Sequence, residues 1–193
     1  MSESSTSRAH NQSSLVQSEP PQQAEATEAT GADAVVPSAS TGSASPRVAF
    51  ISGPIEMPEG YFAEHYVPMI DRAIAAGDDF VIGPVAGTDT LALQYLVEKG
   101  VEPDRITVYL TEFEKRYYGK SYAWLVEAGG EVHEEGVTTG ERDAAMTRDS
   151  DYDILRYMSV EEQKVFYGER YFPRVSNTER NERRRKGLPL HPK

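Results

Sequence analysis

The sequence predicts an α/β protein of Rossmann-like type: a three-layer domain with a mostly parallel sheet, preceded by a disordered N-terminal tail. Between residues 46 and 158, short apolar runs alternate with segments of helical spacing, and Gly-Pro or Gly-Gly dipeptides end several of them. This alternation is typical of parallel strands joined by crossover helices. The predicted regions are the tail (1–45), the α/β domain (46–158) and a helical C-terminal extension (159–193).

The tail is predicted from composition. Residues 1–45 are rich in Ser, Ala, Gln, Thr and Glu and contain no Phe, Tyr or Trp. Such a segment buries too little apolar surface to offset the conformational entropy that ordering costs. At Pro46 the composition changes abruptly, and the folded domain is expected to begin there.

The predicted strands are short runs of apolar and β-branched residues bounded by turn-forming residues. They span residues 47–52, 79–82, 106–110, 131–133 and 152–157. Apolar residues at helical spacing predict helices between the strands and after the last one, and the final segment is predicted to be a polar helix. These helices span residues 62–74, 88–99, 122–128, 138–147, 160–167 and 177–186.

Charge and composition exclude several function classes. The formal net charge of -11 argues against nonspecific nucleic-acid binding, because a phosphate backbone would be repelled at long range. No stretch reaches the roughly 20 apolar residues that cross a bilayer, so no membrane partner is expected. Cysteine is absent, which favours a cytoplasmic protein over a disulfide-rich secreted one. The four histidines lie in separate segments, and neither a metal nor a cofactor is predicted.

Two loops are the candidates for ligand binding, because open parallel sheets bind ligands beyond the carboxyl ends of their strands. The first follows the first predicted strand, and the second follows the second strand; each contains a Gly-Pro dipeptide. Both are expected to open into the same crevice. The candidate ligand-binding residues of these loops are Ser52, Gly53, Pro54, Gly83, Pro84, Gly87, Thr88 and Asp89.

The second loop carries the stronger signal. Gly83 and Gly87 permit close backbone approach, and Thr88 or Asp89 is predicted to cap a helix whose free N–H groups favour an anion. The alternative is that the glycines only form a tight turn and that Asp89 only caps the helix. The loop matches neither of the common glycine-rich phosphate motifs, so the sequence leaves both interpretations open.

A third candidate element lies on the helix before the fifth strand. Arg142 and Met146 are four residues apart and share a helix face, which would let a cation and a soft apolar group approach one ligand. In the alternative interpretation the Arg142 stem packs at the surface and Met146 lies in the core.

Together these segments resemble the SLOG superfamily, which includes DprA-like proteins, YspA-like proteins and the Lonely Guy phosphoribohydrolases. The resemblance rests on Ser52-Gly53, on the loop from Gly83 to Ala92 and on Arg142-Asp143-Ala144-Ala145-Met146. It implies a Rossmann-like nucleotide-binding domain with ligand contacts from Gly83, Gly87, Thr88, Asp89 and Arg142. The chain lacks the PGGxGTxxE segment that supplies the catalytic glutamate of Lonely Guy enzymes.

A second resemblance concerns the first strand. Phe50-Ile51-Ser52-Gly53-Pro54-Ile55 is similar to the opening of nucleoside 2-deoxyribosyltransferases. Those enzymes need a carboxylate nucleophile and a second acid that protonates the departing base. The nearest carboxylate candidates are Glu56, Asp89 and Glu98, and the candidate catalytic residues are Glu56 and Asp89.

The sequence therefore predicts an intracellular protein that binds a nucleotide-like small molecule, with N-glycosidic bond chemistry as its expected activity if it is an enzyme. The alternatives are a nucleoside 2-deoxyribosyltransferase-like enzyme and a noncatalytic nucleotide sensor or assembly module. An enzyme needs a carboxylate facing the ribose, whereas a sensor needs only the glycine loops and the arginine. Aromatic residues and arginines between 166 and 185 also leave a homo-oligomer open.

Overall fold

A computed structural model describes residues 45–191, and these form an α/β fold around one parallel sheet. The five strands are β1 (Val48–Ser52), β2 (Asp79–Ile82), β3 (Ile106–Leu110), β4 (Glu131–Glu134) and β5 (Tyr152–Leu155). Their order is β4-β3-β2-β1-β5, and every neighbouring pair is parallel. The predicted fold class is confirmed.

The helices in chain order are α1 (Tyr61–His65), α2 (Val67–Ala76), α3 (Thr88–Glu98), α4 (Glu112–Tyr118), α5 (Ala123–Glu127), α6 (Thr139–Arg148), α7 (Val160–Tyr167) and α8 (Asn177–Arg185). The single helix expected after the first loop is in fact α1 followed by α2, with a break at Tyr66. The break has a local cause. Pro68 has no backbone N–H and cannot continue the hydrogen-bond ladder of α1.

Side chains alternate between the two faces of the sheet and build two cores. The larger core holds the buried side chains of Ile51, Ile82 and Val108 together with α2, α3 and α5. The smaller core lies on the other face, where Phe50 and Val81 pack against α6. Helices therefore cover both faces, which gives three layers.

The C-terminal segment completes the second face. Helix α8 packs against α6 and β5. Arg185 on α8 donates hydrogen bonds to the carbonyl oxygens of Thr147 and Ser150, and it forms a 2.8 Å ion pair with Asp153. Part of the basic sequence Arg183-Arg184-Arg185-Lys186 at the end of α8 is thus bonded within the fold.

Strand order places a crevice at the carboxyl ends of β1 and β5. The chain adds β2, β3 and β4 on one side of β1 and then crosses back to lay β5 on the other side, which is a topological switch point. The buried Tyr66 hydroxyl joins the ends of these two strands, 3.0 Å from the Ser52 carbonyl oxygen and 2.7 Å from the Arg156 carbonyl oxygen. Burial raises the pKa of this phenol, so it stays neutral.

The predicted tail, residues 1–45, lies outside the described residues except for Ser45. Among the helices of residues 45–191, none is long and apolar enough to cross a membrane.

Candidate functional site

A cavity of about 430 Å³ opens beyond the carboxyl end of β1. One wall is made by the first loop together with Asp89 of α3 and Arg142, Asp143 and Met146 of α6, and we call it the strand-end wall. The opposite wall comes from residues 167–181, and we call it the C-terminal wall. Small-molecule sites span roughly 300–1,000 Å³, so the cavity has ligand-binding size.

The two Gly-Pro loops contact each other directly. The Thr88 hydroxyl donates to the Pro54 carbonyl oxygen at 3.0 Å, and the Thr88 backbone N–H donates to the same oxygen at 3.1 Å. Gly53 permits this approach, because a Cβ atom there would lie 2.2 Å from the Thr88 hydroxyl oxygen. The loops therefore form one packed unit, as the parallel topology predicts.

Gly87 has a structural reason to be glycine. Its φ is 85°, in the left-handed region, and an added Cβ would lie 2.3 Å from the Ile55 carbonyl oxygen. Gly87 is also the residue that precedes the first turn of α3. The expected cap by Thr88 or Asp89 is wrong, because neither side chain caps this helix. Thr88 instead reaches across to Pro54, and Asp89 turns back toward Val85.

Asp89 presents a carboxyl group with unusual proton affinity. Burial raises its pKa from 3.8 to about 7, against the opposing effects of the Arg142 charge and a hydrogen bond from the Val85 N–H. The distance from that N–H to the carboxyl oxygen is 3.4 Å. At neutral pH the group both holds and releases a proton readily, which is the property of a general acid or base.

Arg142 is held by two carboxylates of the protein itself. Its side chain is 4% exposed and lies 2.5 Å from Glu114 and 2.9 Å from Asp143. Burial alone would lower the pKa of Arg142, but Asp143 and Glu114 more than compensate, and the net pKa is above its usual value. Glu114 also accepts the Thr111 N–H in the capping box of α4, which fixes it in place.

The C-terminal wall is anchored to the first strand. Asn181 of α8 donates from its side-chain amide to the Ser52 hydroxyl at 3.0 Å, and both residues are buried. This contact joins α8 to the end of β1. Arg170, Arg174 and Arg180 line the cavity from this wall.

A second cavity of about 570 Å³ shares Asp89 with the first. Its apolar lining comes from Leu93 and Val97 of α3, Tyr122 and Trp124, and polar side chains that include Glu98 complete it. The side chain of Trp124 is 43% exposed. Asp89 thus lies between an arginine-bearing cavity and an aromatic one.

Most of the predicted site residues line one of these cavities. The first cavity is lined by Ser52, Gly53, Pro54, Glu56, Asp89, Arg142 and Met146, and the second by Gly83 and Asp89. Pro84, Gly87 and Thr88 line neither cavity. Met146 is buried in the smaller core, as the alternative interpretation expects, but the Arg142 side chain is also buried and does not pack at the surface. The approach of both side chains to one ligand stays a prediction. Glu56 faces solvent and lies 3.8 Å from Arg170.

Sequence reasoning missed Glu114, Asp143, Trp124 and the arginines of the C-terminal wall as site residues. One signal was present for Glu114, because Thr111-Glu-Phe-Glu114 is a capping-box pattern that marks a helix start. The long-range pairing of Glu114 with Arg142 has no local signature.

Comparisons with protein-family models, with curated proteins and with solved structures found no match. Within residues 45–191, no group of three His, Asp or Glu side chains has the arrangement of a metal site.

Proposed function

We propose that this chain binds a nucleotide or nucleotide derivative across the two cavities and acts on its N-glycosidic bond at Asp89. The observation that carries the proposal is the position of Asp89, which lines both the first cavity, where charged side chains converge, and the second cavity, where aromatic and aliphatic side chains do. A nucleotide has the same division, with a charged phosphoribose on one side and an apolar aromatic base on the other. The bond that joins the two halves is the N-glycosidic bond.

The second cavity suits a base. Leu93 and Val97 offer apolar contact, and the rings of Tyr122 and Trp124 offer surfaces for stacking, which is worth roughly 1–3 kcal/mol per base in single-stranded nucleic-acid complexes. The first cavity suits the sugar, because the Ser52 hydroxyl and the carboxyl groups of Asp89 and Asp143 are hydrogen-bonding groups that line it.

The chemistry assigned to Asp89 is proton donation to the leaving base. A protonated Asp89 gives its proton to a nitrogen of the base as the bond from C1′ to the base breaks, and the base departs with the bonding electrons. Water adds to C1′ and releases one proton, which Glu56 or solvent accepts. Asp89 then regains a proton from solvent, so the net reaction consumes one water and yields free base and ribose phosphate.

The SLOG resemblance is part of this proposal and rests on the same loops. The missing glutamate segment of Lonely Guy enzymes means that the acid must come from elsewhere in this chain. Asp89 is the candidate that the geometry favours, because burial raises its pKa to about 7 and it lines both cavities. Glu56 is exposed and retains the secondary role of a proton acceptor.

The test is release of free base from a panel of ribonucleoside and deoxyribonucleoside 5′-monophosphates, followed by chromatography. Asp89→Asn is expected to lower the rate by about 100-fold or more while binding is retained, because general acid catalysis contributes roughly 10²–10⁴-fold. Asp104→Asn is the matched control, since Asp104 is an exposed carboxylate that lines neither cavity.

Other outcomes identify the alternatives. Transfer of the sugar to an added second base would show a deoxyribosyltransferase-like enzyme. Saturable binding without base release would show a noncatalytic nucleotide-binding module. Absence of binding by every member of the panel would contradict the proposal as a whole.

A further inference from the structure

Three arginines of the C-terminal wall face the first cavity without full neutralisation. No carboxylate lies within 4.0 Å of the charged nitrogens of Arg174 or Arg180 among the residues that the structure describes. Arg170 has one distant partner, Glu56 at 3.8 Å, and both side chains are largely exposed. The chain holds 31 Asp and Glu against 20 Lys and Arg, so carboxylates are in excess. Arginines left without carboxylates beside a cavity are therefore notable.

Three cations that follow Arg180 at the end of α8 do have carboxylate partners. Arg183 pairs with Glu179 at 2.8 Å, Arg185 with Asp153 at 2.8 Å and Lys186 with Glu182 at 2.7 Å. These residues follow Arg180 on the same helix. Arg184, which does not line the first cavity, also has no carboxylate within 4.0 Å among the described residues and donates to the Asn181 side chain instead. Among the cations of α8, Arg180 is the one that both lacks such a partner and lines the first cavity.

Arg180 also carries a buried donor with no acceptor. Its Nε atom is buried and makes no hydrogen bond, while a terminal nitrogen of the same guanidinium donates to the neutral side chain of Asn177. A buried unsatisfied donor costs roughly 1–3 kcal/mol, and an anion in the cavity would remove that cost if the Arg180 guanidinium turned to meet it.

The strand-end wall stabilises an anion much less than the C-terminal wall does. Arg142 is already bound by Glu114 and Asp143, and Asp89 adds a third carboxyl group near it. One cation among three acidic groups repels a phosphate when the acids are ionised. An anionic group in the cavity is therefore stabilised at the opposite wall.

We infer that Arg170, Arg174 and Arg180 form a phosphate subsite, so that the substrate class is a nucleoside 5′-phosphate rather than a nucleoside. This inference rests on the proposed function for the nucleoside half of the ligand. Guanidinium groups bind phosphate oxygens through paired N–H donors, which gives both charge and geometry. The subsite lies on the C-terminal wall and not at the glycine loop or Arg142.

The test is calorimetric titration with nucleoside 5′-monophosphates, the matching nucleosides, ribose 5-phosphate and inorganic phosphate. Arg180→Gln and Arg174→Gln are expected to weaken the monophosphates and ribose 5-phosphate about tenfold or more each, and to leave nucleoside affinity unchanged. Arg183→Gln is the matched control on the same helix, because Arg183 does not line the cavity and pairs with Glu179. Arg174 is exposed, so its variant tests the subsite even if Arg180→Gln folds poorly.

This set of ligands and variants distinguishes an error in the phosphate subsite from an error in the proposed function. Equal losses for nucleosides and monophosphates, or an equal effect of Arg183→Gln, would overturn the phosphate subsite. Wild-type protein that binds nucleosides as tightly as monophosphates would also overturn it, while the proposed nucleotide-binding function would stand. Binding of ribose 5-phosphate that depends on Arg174 and Arg180, without binding of any nucleoside or monophosphate, would support the subsite and contradict the proposed function. Absence of binding by every phosphorylated probe would overturn both.

Discussion

The strand-end wall and the C-terminal wall of the first cavity use arginine in opposite ways. On the strand-end wall, Arg142 is buried and shared between Glu114 and Asp143. On the C-terminal wall, Arg174 is exposed and no described carboxylate lies within ion-pairing distance of it. Buried and paired charges hold secondary-structure elements together, whereas accessible and unpaired ones are available to a ligand. An arginine that lines a cavity is therefore available to a ligand only where carboxylates of the protein do not already pair with it.

The largest expected effect comes from Gly87, which packs behind the first loop of the strand-end wall and does not line the cavity itself. Gly87→Ala is expected to destabilise the fold severely, because the new Cβ would meet the Ile55 and Pro54 carbonyl oxygens at 2.3 and 2.6 Å. Gly77→Ala is the control: Gly77 has φ 78°, but a Cβ there meets no atom within 4 Å. Gly77→Ala is expected to lower the free energy of unfolding by only the roughly 1–2 kcal/mol that a residue with a Cβ atom loses in the left-handed conformation.

Urea unfolding of both glycine variants measures the difference. A Gly87→Ala protein that folds as stably as Gly77→Ala and loses only ligand binding would show that the glycine loop itself approaches the ligand. That result would assign to the glycine loop the ligand-binding role that we give to the C-terminal wall.

The second effect is that of Arg142→Gln. Removing the guanidinium leaves Glu114 and Asp143 close together without their cation, and breaking a buried ion pair in this way costs roughly 3–5 kcal/mol. Arg174→Gln is expected to change stability by no more than about 0.5 kcal/mol, as at other exposed positions. Adding Glu114→Gln to Arg142→Gln should restore part of the lost stability, because one of the two unpaired charges is removed.

Chemical denaturation of the three variants checks this difference between the walls. A stable Arg142→Gln protein with a selective loss of phosphorylated ligands would mean that Arg142 binds phosphate and that its ion pairs matter little to the fold.

The smallest expected effect concerns Asp89 and depends on pH. Its pKa is raised from 3.8 to about 7, so the folded state binds more protons than the unfolded state between these values, and stability falls as pH rises through that window. Asp89→Asn removes the ionisation. The variant should gain a few degrees in Tm at pH 8, with a gain that grows from about pH 4 to 7 and then levels off.

Thermal melts of Asp89→Asn and wild type across pH 4–9 give this profile, with Asp104→Asn as the exposed control. A gain that does not vary with pH would show that the Asp89 carboxyl titrates normally, and it would remove the proton donor from the proposed reaction.

Much of the fold was predictable because its determinants are local. Short apolar runs ended by glycine marked the strands, and the starts and ends of β2 and β3 match the predicted ones. Local signals for two corrections were also present: Pro68 breaks the first predicted helix, and Thr111 with Glu114 starts α4, which was not predicted.

The charge pattern of the candidate site was not predictable in the same way. Arg142 and Glu114 are 28 positions apart, and Asn181 meets Ser52 across 129 positions. A basic run such as residues 180–186 gives no sign of which members pair within the chain and which face a cavity. Arg180 lines the cavity and Arg183 pairs with Glu179, and this difference becomes visible only once α8 is packed against α6.

The central claim, that a nucleotide base occupies the cavity beside Asp89, is most directly tested by the fluorescence of Trp124. The chain contains one tryptophan, so the signal reports on this cavity alone. Titration with nucleoside 5′-monophosphates is expected to quench it saturably, in wild type and in Asp89→Asn alike, because a base that stacks on the ring lies on the far side of the carboxyl group from the sugar. Calorimetric binding of a monophosphate without any change in Trp124 fluorescence would contradict the claim.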